Sequence, residues 1–142
     1  MPLKVKGLDD FSLSLQEMAQ LPTAVHDEMI EAGAAIAAKA QRRKVLEYGI
    51  YDPDSTKHVA DSIKPGKIKV KKGERVIYVS PTGTRKRGNK TTRNAEILFV
   101  NEYGKNGQAA RPAVRDANES CAEDVIQAEM AVYDRYLKSL NL

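Results

Sequence analysis

AEILFVNEYGKNGQAARPAVRDA, residues Ala95 to Ala117, is the stretch on which the fold turns. An apolar run opens it, Glu102-Tyr103-Gly104 stops that run, and Gly107 marks a turn. Arg111-Pro112 then leads into the longest amphipathic segment of the chain. Two readings compete for its first third. Asn94 can cap a short helix through Ala95, Leu98, Phe99 and Glu102, with Gly104 in a left-handed conformation just past the end. Ile97 to Val100 is alternatively a short apolar strand, and periodicity does not arbitrate between the two. The helix is the preferred reading. Lys105-Asn106-Gly107 turns the chain, and Gln108 to Arg111 is expected to be extended, because the residue before a proline avoids helical dihedrals. Pro112 suits the first position of a helix, where its missing N–H costs nothing. Nothing in the stretch has the form of an active site. It is a corner at which two elements meet.

On the C-terminal side the spacing predicts a helix from Ala113 to Leu140. Val114, Ala117, Cys121, Val125, Ala128, Val132, Tyr136 and Leu140 mark its apolar stripe, with Asp116, Glu119, Glu123, Asp124 and Glu129 turned away. Cys121 lies within the stripe and is therefore read as a packed thiol rather than a nucleophile. Such a helix needs a partner, either a sheet and another helix or a second subunit.

On the N-terminal side, Pro81 to Asn94 (PTGTRKRGNKTTRN) has no apolar side chain except its proline. Arg85, Lys86, Arg87, Lys90 and Arg93 crowd into it. It is expected to be a flexible basic loop, either simply solvated or an arm that contacts nucleic acid or an acidic partner. Before it, Ile68 and Val70 alternate with Lys67, Lys69 and Lys71, and Lys72-Gly73-Glu74 makes a turn into Val76, Ile77, Tyr78 and Val79. That pattern is a hairpin with a wet, lysine-rich face and a more buried second strand. Thr56 to Ile63 is either one helical turn or extended chain, and Tyr48 to Ser55 is a loop by its Gly, Pro and Asp content.

Further back, Thr23 is positioned to cap a helix running to Glu47, with Asp27 and Glu28 near its positive end. Val25, Met29, Ala32, Gly33, Ile36, Ala37 and Ala40 form its stripe, and so many small residues suggest that another element comes close. At ~1.5 Å per residue this helix is about 37 Å long. A shorter helix through Leu8, Phe11, Leu15, Met18 and Ala19 is expected before Pro22. The fold class that follows is α+β: a small antiparallel sheet packed against a long N-terminal and a long C-terminal helix. All of residues 1–142 read as one domain, with 1–22 as an N-terminal segment and 81–94 as its basic loop.

The composition supports a globular chain. With 142 residues and 42% hydrophobic residues there is enough for a core, but aromatics are 6% and Trp is absent, so Ala, Val, Ile and Leu must fill it. A net charge of +4 permits a polyanionic partner without requiring one. The single cysteine excludes an internal disulfide and fits a reducing compartment. Neither a signal peptide nor a run of transmembrane length is legible, so a cytosolic start is expected.

The sequence carries no recognisable catalytic or metal-binding pattern. His26 and His58 stand apart from any acid–base or metal-ligand set, and both read as surface histidines. Asp52, Asp54 and Asp61 lack the regular spacing of a metal loop. The glycines at 83, 88, 104 and 107 lack the Lys and strand-to-helix context of a phosphate loop. Ser120 and Cys121 have no accompanying base. No catalytic residue, metal or cofactor is therefore expected.

Two segments together resemble a known family. One is PDSTKHVADSI, Pro53 to Ile63, and the other is FVNEYG…AARPAVRDA, Phe99 to Ala117. Their order, with a lysine-rich hairpin between and a long helix on each side, is similar to the tail-completion or tail-terminator proteins. These are minor tail components at the head–tail junction of long-tailed bacteriophages. Pro53, Thr56, Ser62 and Ile63 match the first family motif, with Val59 replacing a Leu. Glu102, Tyr103, Gly104, Ala110, Arg111 and Pro112 match the second. Lys57, Lys105 and Ala113 stand where the family favours Gly, Thr and Phe.

The resemblance implies a non-enzymatic α+β virion protein that assembles into a homo-oligomeric ring, typically hexameric, at the head-proximal end of the tail tube. Its partners would be the tail tube protein and the head-completion or connector protein, with DNA passing through the lumen. It would reside in the host cytoplasm before joining the virion. Glu102, Tyr103, Gly104, Arg111 and Pro112 are the structural or interface motif. Arg85, Lys86, Arg87, Lys90 and Arg93 are the candidate contacts to DNA or a partner. The alternative is a small basic nucleic-acid-binding protein using residues 81–94. Glu102 and Arg111 are expected to form an ion pair, or one of them to cap a neighbouring backbone group.

Overall fold

The computed structural model describes residues 21–50, 58–87 and 89–140. The expected helix through Leu8–Ala19, the Asp52–Asp54 cluster, and Pro53, Thr56 and Lys57 of the first motif lie outside these residues.

The fold is α+β, with a small amount of antiparallel strand set against two long helices. Helix α1 spans Thr23–Glu47 and helix α3 spans Ala113–Ser139. They lie antiparallel: Gly33 is beside Val125 and Glu129, Gln41 Nε2 donates to Asn118 Oδ1 at 3.0 Å, and Arg135 pairs with Glu28 at 2.8 Å. The small-residue stripe of α1 makes this approach possible. A Cβ on Gly33 would sit 2.7 Å from Glu129 Oε1 and 3.0 Å from Val125 Cγ1. Ala40 packs with Ala117 and Cys121, and the cysteine is buried, as its place in the stripe predicts. Helix α3 ends at Ser139 rather than Leu140, which is 41% exposed. Tyr133, one residue out of the expected stripe, is buried instead.

Thr23 does not cap α1. Pro22 occupies the cap position, and its carbonyl accepts from the backbone N–H of Val25 and His26, each at 3.0 Å. Thr23 is already the first helical residue, and the helix starts without a side-chain cap.

After Ile50, which is buried, a 3-10 turn at Val59–Ser62 resolves the ambiguity left by the sequence. Strands β1 (Ile63–Pro65) and β4 (Val79–Pro81) pair, as do β2 (Lys69–Lys71) and β3 (Glu74–Val76). Together they make one long hairpin arm. Pro65 faces Val79 and Lys69 faces Val76. Gly66, Lys67 and Ile68 therefore cover a stretch that Ile77 and Tyr78 cover on the other strand, which is a one-residue bulge. The turn uses positive φ at Lys72 (51°) and Gly73 (80°), the primed geometry that suits a twisted two-residue hairpin. β2 is exposed along its length, while Arg75 and Val76 on β3 are half-buried, in line with a wet lysine face and a better-covered second strand. Arg75 docks the arm on α1 through a fork to Asp27, Nε at 2.5 Å and Nη2 at 2.8 Å.

The basic stretch is not a loop. β5 (Thr84–Arg87) and β6 (Lys90–Arg93) pair antiparallel, with Arg85 opposite Thr92 and Arg87 opposite Lys90. Its strands, TRKR and KTTR, hold only Thr and cations with no apolar–polar alternation, so the usual strand signal is absent. Helix α2 (Asn94–Tyr103) follows directly. The sheet is thus three two-stranded ladders rather than one continuous sheet. The main core lies where α1, the 3-10 turn, β1, α2 and the start of α3 converge, around Val45, Val59, Ile63, Leu98 and Ala113.

Candidate functional site

The corner from Ala95 to Ala117 is built as a lock. The helix reading of its first third is the observed one, and Gly104 ends α2 with φ 79° and ψ 177°. That conformation is open essentially to glycine alone, and it is not the left-handed helical cap expected from the sequence. Space imposes a second constraint: a Cβ there would lie 2.9 Å from both Ala110 N and Gln108 O. Lys105 and Gln108 then bridge across the turn, each donating its N–H to the other's carbonyl (3.0 and 2.9 Å).

Asn94 does not cap α2 either. Its side chain accepts from Arg85 Nε at 2.7 Å and donates to the Thr82 carbonyl at 2.8 Å, tying the start of α2 to the basic hairpin. Arg93 holds the cap position, and its guanidinium pairs with Glu96 at 3.0 Å.

Glu102 and Arg111 engage separate partners. The Glu102 carboxylate accepts from the backbone N–H of Val114 at 2.9 Å and of Arg115 at 3.0 Å. It thereby satisfies two of the donors that every helix start leaves open, with a negative charge at the positive end of α3. This is the capping alternative of the two expected for the pair. Arg111 donates to Asn101 Oδ1 at 2.6 Å and to the Tyr48 carbonyl at 3.2 Å, so it staples the end of α2 to the end of α1. Pro112 sits at the cap of α3, one position before the expected one.

The residue at the centre of the lock, Asn101, was not singled out in the sequence. It is buried, donates to Ile97 O at 2.8 Å, and accepts from both Gln108 and Arg111. Its carbonyl also accepts the Arg111 N–H at 2.6 Å. An asparagine within an apolar run (Leu-Phe-Val-Asn) was the one available signal. Tyr48 adds a further tie by donating its hydroxyl to Asp116 Oδ2 on α3. That hydrogen bond, with burial and the carboxylate charge behind it, holds the Tyr48 hydroxyl above the usual tyrosine range.

Tyr103 takes no part in the lock. It is 71% exposed and its ring lies 4.9 Å from that of Phe99, itself 64% exposed. The two rings border an open groove of about 420 Å³ between α2 and α3, floored by Leu98 and Val114. Of the five basic residues singled out, Arg85 and Arg93 are engaged with Asn94 and Glu96. Lys86, Arg87 and Lys90 are exposed on the hairpin. His26 is exposed and His58 half-buried. Among the described residues no group of three His, Cys, Asp or Glu side chains converges as a metal site. No helix among them is long and apolar enough to cross a membrane.

Comparison with protein-family models, with curated proteins and with solved structures finds no match to this chain.

Proposed function

We propose that this protein is a structural, non-enzymatic component of the bacteriophage head–tail junction. In this reading it is a tail-completion or terminator subunit that forms a ring, typically hexameric, on the head-proximal end of the tail tube. The observation that carries the reading is how the resembling motif is spent. Glu102, Gly104, Arg111 and Pro112 hold a corner together, while Tyr103 and Phe99 are left outside it beside an apolar groove. Exposed paired aromatics on a rigid support suit recognition, not chemistry. The tail tube protein and the head-side connector are the partners that follow, and the virion is the place of action.

The test is genetic and visual. A phage lacking the protein should accumulate filled heads and separate tails in electron micrographs, and supplying the protein in trans should restore joined particles. Joined, infectious particles in its absence would remove the reading.

The exposed Lys86, Arg87 and Lys90 favour one second reading, nucleic-acid binding by the β5–β6 hairpin. It requires duplex DNA retention that falls steeply with salt and is lost when those three residues are replaced by Ala.

A further inference from the structure

Charge is distributed very unevenly along the chain. Residues 64–93 hold eleven Lys or Arg and one Glu, a net +10, so the rest of a chain of net +4 carries −6. Helix α3 contributes six carboxylates against three cations. Two surfaces concentrate this difference, and each has an uncovered apolar centre.

The first is on the arm. Lys69 faces Val76 and Lys71 faces Glu74 across the ladder, which puts both lysines on the same face as Val76. Two residues on from Val76, Tyr78 continues that face: it is 47% exposed, with Lys71 Nζ 4.8 Å above its ring. The second is on the outer side of α3. Glu119, Glu123, Ile126, Met130 and Asp134 recur at intervals of four, three, four and four residues, so they share a face. Ile126 is 59% and Met130 47% exposed, and the three carboxylates are exposed and form no ion pair among the described residues. The face from Glu119 to Asp134 is about 22 Å long at the helical rise. The arm from its turn to Tyr78 is of the same order.

We infer that the Lys69–Lys71–Val76–Tyr78 face of one copy docks on the Glu119–Glu123–Ile126–Met130–Asp134 face of the next. The inference rests on the assembly reading above and names its contact. Lysines meet carboxylates at the edges, and the tyrosine ring meets Ile126 and the Met130 thioether in the middle. The two faces differ, so the contact is head-to-tail and leaves each subunit with one free face until a ring closes. Opposite charge on the two faces also disfavours arm-to-arm and helix-to-helix pairing.

The test uses two charge reversals, Lys69→Glu/Lys71→Glu and Glu123→Lys/Asp134→Lys, each checked by circular dichroism for intact helix content. In sedimentation velocity at millimolar concentration and low salt, the parent chain should associate, less so as salt rises. Each variant alone should remain monomeric. An equal mixture should associate again, because the unaltered arm of one variant meets the unaltered helix face of the other and the two reversed faces are likewise opposite in charge. The chain carrying all four reversals should associate again. A parent chain that stays monomeric, a variant that associates like the parent, or a mixture that stays monomeric would overturn the inference. So would an arm variant that keeps its association but loses retention on duplex DNA, since the arm would then serve nucleic acid. Association is read without phage, so intact association with no effect on tail joining would remove the proposed function and leave this contact standing.

Discussion

At the residue scale, the corner separates residues that hold from residues that present. Glu102→Ala removes the acceptor for two backbone donors at the start of α3 and should cost about 1 kcal/mol in denaturant unfolding. Glu102→Gln, which keeps an acceptor but not the charge, should lose less. Equal losses for the two would mean that the charge, not the hydrogen bonds, carries the effect. Gly104→Val should be the more severe change, roughly 2–3 kcal/mol, because it meets both a forbidden backbone conformation and backbone atoms at 2.9 Å. A Gly104→Val protein as stable as the parent would show that the turn can rebuild itself. Ala113 illustrates the same economy. It is fully buried at the head of α3, so a small side chain is the one this core accommodates.

At the element scale, the arm is held on α1 by Arg75 and Asp27. The guanidinium holds the Asp27 carboxyl below the usual carboxylate range, and Asp27 in turn raises Arg75. A depressed carboxylate contributes stability that is present above its unfolded value, about 3.9, and is lost as pH falls through the folded one. The protection factors of the β2–β3 amides, measured against intrinsic exchange at each pH, should therefore fall below about pH 4. Asp27→Asn should show the lower protection already at neutral pH and flatten the dependence. An unchanged profile in Asp27→Asn would place the arm's anchorage elsewhere.

The long elements were legible in the sequence because their burial repeats: the Ala-rich stripe of α1 and the Ala117–Cys121 seam of α3 both read at helical spacing. The caps were not. Thr23 and Asn94 are good capping residues by type, but Pro22 takes one cap position and the Asn94 side chain is drawn to Arg85 and Thr82 instead. The β5–β6 hairpin was illegible because its strands hold only Thr and cations, with no apolar residue to betray a period. Asn101 was missed for a related reason, since its three tertiary bonds leave no trace in local sequence.

At the scale of the whole molecule, stability and surface are served by different residues. Replacing Phe99 and Tyr103 together by Ser should leave the unfolding free energy within about 0.5 kcal/mol, since both rings are mostly in solvent. Tail joining should nevertheless fail under the proposed function. A large loss of stability would show instead that the ring pair belongs to the fold. The helix pair behaves in the opposite way. Gly33→Leu should force α1 and α3 apart at Val125 and Glu129 and cost roughly 1–3 kcal/mol, visible as a lowered melting temperature.

The pairing of those two helices also has a consequence in time. Gln41 finds Asn118 and Glu28 finds Arg135 only across 77 and 107 residues of intervening chain. During synthesis α1 leaves the ribosome with its alanine stripe uncovered, and the arm and the second hairpin, whose contacts are local, can close before α3 arrives. For that interval the chain is half-folded with a bare helical face, the stage of its synthesis most exposed to aggregation and proteolysis.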